Sequence, residues 1–187
     1  MPATAVYALR YQALTDAPNG ATLGQNLAED VETELVRIDA AAAVLPLYAR
    51  KTADESLVSS TTLQNDDHLF WSVVANTIYE LSLHVTYNSG VTPDFKIGWT
   101  FPAGLTMTWA YIGVDLAGAI VNRGNLIQTS VLAQGGAAGV EIHLAVFGVV
   151  VVGGTAGTLR LQWAQNTSDA GSTIVRAGSY GRLLKVG

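Results

Sequence analysis

From Lys51 onward, apolar and polar residues alternate with a period of two. In the run 79–87, one face carries Tyr79, Leu81, Leu83, Val85 and Tyr87, and the other carries Glu80, Ser82, His84 and Thr86. The same alternation occurs in 95–101, 105–111, 140–148 and 158–165. Because successive side chains of a β-strand point to opposite faces, each run predicts a strand with one buried face.

Turn-forming residues separate these runs. They are Asn65-Asp66-Asp67, Asn88-Ser89-Gly90, Pro102-Ala103-Gly104, Gly135-Gly136 and Gly153-Gly154. About eight short strands at this spacing are typical of an antiparallel sandwich or barrel, and the number suits a jelly roll. We therefore predict a mainly β protein whose residues 47–187 form an antiparallel β-sandwich. Trp71, Trp99, Trp109 and Trp163 lie in strand-like runs and are expected in the core.

The sequence before the sandwich predicts one helix. Thr22 is a candidate N-cap with Gln25 at the capping-box position three residues later. Pro46 disfavours helical geometry at the residue before it. The expected helix is Leu23–Val44, within a helical stalk of residues 22–46.

The apolar residues of this helix form a narrow stripe. They step by four, three, four and three through Val31, Leu35, Ile38, Ala42 and Leu45. This spacing is the a/d pattern of a self-associating bundle, and it favours that arrangement over a helix lying on its own domain's sheet. We call these five residues the helix seam.

Residues 1–21 predict an extended arm. Tyr7, Leu9 and Tyr11 alternate, so a strand added to the edge of another protein's sheet would place them on one face. Arg10 would lie on the opposite face, and the turn at Pro18-Asn19-Gly20 would lead into the helix. The expected role of the arm is docking onto a partner protein.

Composition argues against catalysis and against several classes of ligand. There are no cysteines, no serine-nucleophile motif and no phosphate-binding loop, so we expect no enzyme and no cofactor. His84 and His143 alternate beside Glu80 and Glu141, but this is too sparse to predict a metal site. The acidic sequence 65–69, NDDHL, lacks the other ligands of a calcium loop and is interpreted as a strand-ending turn.

Charge and hydropathy limit the possible partners. The formal net charge of −5 argues against coating nucleic acid. The longest apolar run, Leu144–Val152, is far shorter than the roughly 20 residues that cross a bilayer. We expect no membrane partner, and no signal-peptide pattern opens the sequence. Only 13% of the residues are charged, which favours surfaces covered by other protein chains.

Two regions of the sequence, the second made of two separate segments, resemble virion proteins of tailed bacteriophages of the actinobacterial type. Residues 7–35, YALRYQALTDAPNGATLGQNLAEDVETEL, are similar to the arm and helix of such proteins. The matching positions are Tyr7, Leu9, Arg10, Tyr11, Thr15, Asp16, Pro18, Asn26, Leu27, Ala28, Asp30 and Val31. Residues 51–69 and 161–186 are similar to the sandwich domains of phage appendage and head proteins, which share the strand Leu-x-Trp-Ala-Gln-Asn at 161–166.

The resemblance implies a homotrimeric jelly roll of the tumour-necrosis-factor type on a short helical stalk. It implies a spike or fibre on the virion surface, made in the host cytoplasm and docked on the major capsid protein or a tail protein. Two alternatives stay open. One is a decoration protein that cements the capsid, and the other is a carbohydrate-binding module that recognises glycans of the host wall.

Overall fold

The computed structural model describes residues 20–42, 45–114 and 120–187. Residue contacts divide the chain into two compact units, Met1–Leu45 and Pro46–Gly187. The predicted docking residues Tyr7, Leu9, Arg10, Tyr11 and Pro18 lie outside the described residues, so the docking arm stays a prediction.

The first unit contains the helix α1, Gly20–Ala42. It begins three residues earlier than expected, which places Thr22 inside the helix. The capping-box interpretation of Thr22 and Gln25 is therefore wrong, because an N-cap residue lies immediately before the first helical residue. Among the described residues, no helix is long and apolar enough to span a bilayer.

The second unit consists of strands. They are β1 Leu47–Arg50, β2 Glu55–Leu57, β3 Gln64–Val73, β4 Ile78–Ser89, β5 Phe95–Thr100, β6 Thr106–Val114, β7 Ile120–Ile127, β8 Leu132–Gln134, β9 Ala137–Val151, β10 Gly157–Ala164, β11 Thr173–Val175 and β12 Tyr180–Lys185. The described strands outnumber the eight expected because β1, β2, β8 and β11 have only three or four residues each. So short a strand does not show a period of two.

The strands form two antiparallel sheets. The large sheet has the order β1-β12-β4-β9-β6-β7, with β11 joining β2 to β4, and the small sheet has the order β3-β10-β5-β8. Four nested pairs define the topology: β1 with β12, β3 with β10, β4 with β9 and β5 with β8. The two halves of the chain thus pair like one long hairpin folded into a sandwich, which is a jelly roll. The β6–β7 hairpin is inserted between β5 and β8 and extends the large sheet.

The predicted alternation defines most of the core. The expected inner faces of β4 and β5 are buried, and so are all four tryptophans. The rings of Trp99 and Trp109 meet edge to face, with centroids 5.9 Å apart. Val140 is an exception: the alternation in 140–148 predicts it on the inner face with Ile142, but it is 47% exposed. The pairing of β4 with β9 shifts register between Tyr87 and Ser89, which interrupts the alternation at this end of β9.

The segment Asn65-Asp66-Asp67 was interpreted as a turn, and this is wrong. These residues lie inside β3, where Asn65 pairs with Gln162 of β10. The polar sequence had turn composition, but pairing with β10 and a local bulge keep the segment in the sheet.

Gly148 provides a test of the packing on the inner face of β9. A Cβ atom at this position would lie 2.6 Å from the carbonyl oxygen of Thr108 and 2.9 Å from Cβ of Trp109. We expect Gly148→Ala to lower the free energy of unfolding by about 1–3 kcal/mol, the usual cost of overpacking. Urea denaturation followed by tryptophan fluorescence measures this.

Gly154 is the matched control, because an added Cβ there meets nothing within 4 Å. Gly154→Ala should change the free energy of unfolding by less than about 0.5 kcal/mol. Equal midpoints for the two variants would contradict the described contact between β9 and β6.

Candidate self-association surfaces

The helix seam exposes large apolar side chains. Val31, Leu35 and Ile38 are 44–54% exposed, and Leu45 is also exposed. Nothing in the described part of the first unit covers them, whereas a helix packed on its own core buries its apolar stripe. The side chain of Ala42 lies outside the described residues. A surface of this shape can pack against a second helix of the same kind.

The charges on α1 lie beside this seam. Glu34 and Arg37 form an ion pair at 2.7 Å, one helical turn apart. Such exposed pairs stabilise a helix by only a few tenths of a kcal/mol. Acidic residues still outnumber basic ones, so a parallel bundle needs cations or staggering to limit repulsion between the helices.

In the second unit, the segment 144–151 of β9 is apolar on both faces. Leu144, Val146 and Val150 point into the core, whereas Phe147 and Val149 point outward. An antiparallel sheet with one solvated face normally alternates apolar with polar residues, and strands apolar on both faces are typical of sheets covered on both sides.

Neighbouring strands extend this apolar surface. The register places Ile78 of β4 opposite Val151, and Ile112 of β6 opposite Ala145. We define the apolar outer patch as Ile78, Ile112, Ile127, Phe147, Val149 and Val151, which are 38–51% exposed. Thr108 of β6 lies between Val149 and Ile127 on this face. Scattered surface apolar residues are ordinary, but six on one sheet face are typical of a contact with another molecule.

Polar residues bound the patch on the same face. Toward β12, the outward positions carry Glu80, Ser82 and His84 on β4 and Arg182 on β12. The imidazole of His84 stacks on the ring of Tyr180, with centroids 5.0 Å apart. An apolar centre with a polar border is the usual organisation of a protein–protein interface.

The two histidine–glutamate pairs do not converge into a ligand set. Nδ1 of His143 lies 3.0 Å from Oγ1 of Thr86, and His84 is stacked on Tyr180. Glu141 is bound by Arg176. Across the described ranges, no group of three or more potential ligands is placed to hold a metal ion.

Arg176 links three parts of the sandwich. Its guanidinium donates to Glu141 of β9, with the shortest distance 2.7 Å, and to Asp54 at 2.8 Å. The backbone N–H of Ala177 also donates to Asp54, at 2.7 Å. This N–H bond and the Arg176 guanidinium hold the pKa of Asp54 below its usual value of 3.8. Both carboxylates raise the pKa of Arg176 above its usual range.

No protein-family model and no curated protein matches the sequence. Among solved structures, partial similarity is found to the infectious bursal disease virus Gx strain, with 11% identity and a TM-score of 0.23 over 75% of this chain and 40% of that chain. For the Gt strain, the identity is 12% and the TM-score is 0.19 over 75% of this chain and 41% of that chain. For the VP2 subviral particle of this virus, the identity is 11% and the TM-score is 0.21 over 76% of this chain and 41% of that chain. The chain spans about two fifths of the length of these matches.

Sequence reasoning predicted the helix seam, which stays a prediction, and missed the apolar outer patch. The signal was present in the run Leu144–Val152, which is apolar at both odd and even positions and therefore on both faces of a strand. This run supplies only the patch residues of β9. The pairing of β9 with β4 and β6, and of β6 with β7, is needed to assemble the rest of the patch.

The Asp54 contacts predict a dependence of stability on pH. A carboxyl whose pKa is lower in the folded state stabilises the fold above its unfolded pKa, and this stabilisation is lost as the pH falls through the folded pKa. We expect Asp54→Asn to lower the midpoint of thermal unfolding at pH 7. The difference from the parent protein should shrink as the pH falls below 3.8.

Glu80→Gln is the control, since Glu80 makes no hydrogen bond or ion pair with the described residues. Thermal scans of both variants between pH 7 and pH 3 check this prediction. A difference between Asp54→Asn and the parent that stays constant with pH would contradict the charged contact.

Proposed function

We propose that this chain is a bacteriophage virion structural protein that forms a trimeric surface appendage, a short head or tail fibre or spike. Its N-terminal arm docks on the particle, and the sandwich is displayed outward. The observation that carries the proposal is the pair of uncovered apolar surfaces, one on each unit of a chain with few charges. Both surfaces would lose water on association with copies of the same chain.

The helix seam supports self-association through its spacing. Its a/d positions place an apolar residue every three or four residues along one side of α1. Three heptads are a short bundle, so the seam is expected to act together with a second contact. The apolar outer patch is that second contact in this proposal.

The trimeric state and the virion location rest on the resemblance of residues 7–35 and of the sandwich segments to phage proteins. The jelly roll is compatible with this role, but the same fold serves many unrelated functions. Attachment to the head as a decoration protein is the alternative with the same fold, and it differs in the partner bound by the arm.

Leu35 tests the helix seam. Leu35→Asp would bury an unpaired carboxylate in the bundle, at a cost of about 3 kcal/mol or more. This corresponds to more than about a 100-fold rise in the dissociation constant. Sedimentation velocity at micromolar concentration should show trimers for the parent protein and smaller species for the variant.

Val36→Asp is the matched control. Val36 is adjacent to Leu35 and outside the a/d spacing, so the same substitution there should leave the trimer intact. A parent protein that sediments as a monomer would refute the stalk, and dissociation of both variants alike would refute the seam.

The arm is tested by removing residues 1–19, which precede α1. We expect a folded trimer that no longer co-sediments with particles. Emptied capsids and isolated tails, used separately, identify which of the two binds the parent protein. Binding of the parent to neither would contradict both the appendage and the decoration role.

Two further variants test whether only one face of the expected arm strand contacts the particle. Replacing Tyr7, Leu9 and Tyr11 by serine should abolish binding in the same way as the deletion. Replacing Ala8 and Gln12, on the opposite face of the expected strand, should leave binding intact.

Recognition of host-wall glycans is an alternative proposal, in which the protein acts as a carbohydrate-binding module. All four tryptophans are buried, so the candidate aromatic for stacking on a sugar is the half-exposed Tyr180, whose ring already stacks on His84. A glycan array with the parent protein and Tyr180→Ala tests it, and absence of signal on wall fragments would remove this role.

A further inference from the structure

The second unit buries a lysine between two carboxylates. The side chains of Lys51 and Asp66 are 0% exposed, and that of Glu55 is 16% exposed. Nζ of Lys51 donates to Oδ2 of Asp66 at 2.8 Å and also to Oε2 of Glu55. Lysine and aspartate are almost never fully buried unless they are paired. We call these three residues the buried triad.

The fold positions the side chains of Lys51 and Asp66 by different means. Lys51 directly follows β1, and its backbone is held at both ends: its N–H donates to Ser179 at 2.7 Å, and its carbonyl accepts from Gly178 at 2.8 Å. Asp66 lies in a bulge of β3, in which residues 66–69 stand opposite the single residue Leu161 of β10. A bulge redirects side chains, and this one turns Asp66 into the interior.

The two oxygens of Asp66 have different partners. Oδ1 accepts the backbone N–H groups of His68 at 2.9 Å and of Leu69 at 2.8 Å. Oδ2 faces Nζ of Lys51. One oxygen is therefore held by two fixed donors suited to a developing negative charge, and the other is next to the amine.

Glu55 is held beside the same nitrogen. Its Oε1 accepts from Nε2 of Gln64 at 2.8 Å. Its Oε2 accepts from Lys51 and, at 3.3 Å, from the backbone N–H of Asp67. Glu55 can accept a proton from Nζ without any movement of the backbone.

Keeping this triad ionised is costly. Moving an ammonium and a carboxylate out of water removes their hydration, and their mutual attraction offsets this loss only in part. A proton passing from Nζ to Oδ2 leaves an amine and a carboxylic acid held side by side, which are the two reactants of amide formation. Fixed proximity of reacting groups removes much of the entropic barrier to such a reaction.

We propose that Lys51 and Asp66 form an intramolecular isopeptide bond, with Glu55 as the general base. The lone pair of Nζ attacks Cγ of Asp66. The negative charge develops on Oδ1, where hydrogen bonds from the backbone N–H groups of His68 and Leu69 stabilise it. Glu55 takes the second proton from Nζ and delivers it to Oδ2 as the Cγ–Oδ2 bond breaks. Oδ2 leaves as water, carrying both protons that Nζ has lost. Glu55 ends as the carboxylate that it was, and no oxidant or other reactant is needed.

The product fits the contacts already present. Oδ1 remains a carbonyl oxygen with its two backbone donors, and the amide N–H donates to Glu55. The bond closes a covalent loop of residues 51–66, which ties the end of β1 to β3 and thus joins the two sheets. This inference concerns the sandwich alone, and it stands or falls independently of the trimer and the virion.

The intact mass of the full-length folded protein tests the proposal. We expect it to be lighter than the sequence mass by one water molecule. In the sequence, trypsin sites follow Arg50, Lys51 and then Lys96. An acylated Lys51 resists trypsin, so the denatured protein should release residues 51–96 minus one water in place of residues 52–96.

A second cleavage locates the bond. Glu55 and Glu80 are the glutamates within residues 51–96. Cleavage after both should leave residues 51–55 covalently attached to residues 56–80. Tandem mass spectrometry should place the branch at Asp66.

Glu55→Gln removes the base and keeps the size of the side chain, so it should have the full sequence mass. Asp67→Asn is the matched control at the exposed neighbouring carboxylate, and it should still lose one water. Circular dichroism checks that both variants fold. If Glu55→Gln does not fold, the peptide of residues 51–96 from the parent protein still decides the question.

The bond also predicts a difference in stability. The parent protein should have a higher midpoint of thermal unfolding than unreacted Glu55→Gln, because a covalent loop restricts the unfolded chain. A parent protein of full sequence mass that releases residues 52–96 would overturn the proposal.

Discussion

The pairing of β4 with β9 is the interaction on which the rest of the sandwich depends. It joins residues 78–87 to residues 142–151 in one unbroken antiparallel register. On one side, β4 receives β12 and β11, and on the other side, β9 receives β6. The inner face of this pair supplies much of the core, and its outer face supplies four of the six residues of the apolar outer patch. One register therefore determines both what is buried within the chain and what is left for another molecule.

The sandwich has few charged side chains, and those that connect its strands lie in two places. Arg176 joins β9 to the β1–β2 connection at the surface, where solvent weakens each contact. The buried triad has no such screening, so an ion pair there is expensive and its conversion to an amide would relieve the cost. Both groups hold the short strands β1 and β2, which have few ladder hydrogen bonds of their own.

The proposed appendage and the proposed isopeptide bond are compatible without requiring each other. A particle component exposed outside a cell has to persist without repair, and a covalent closure between sheets would slow unfolding of the displayed domain. Self-association through the helix seam and the outer patch would remove the exposed apolar surface that the single chain leaves uncovered.

The period-two pattern determined the mainly β class, the antiparallel sandwich and most inward-facing residues, because alternation alone assigns side chains to faces. The jelly-roll topology follows only from the pairing of strands that are distant in sequence. The helix and its seam also followed from local spacing, although the start of α1 did not. Tertiary structure alone decided the rest. Strand order and register assembled the outer patch from four strands, β4, β6, β7 and β9, and the shift beside Ser89 turned Val140 outward. The bulge in β3 turned Asp66 from an expected turn residue into a buried partner of Lys51. Lys51 and Asp66 are 15 positions apart and meet because β1 and β3 lie in facing sheets. The periodicity of the sequence does not predict this contact.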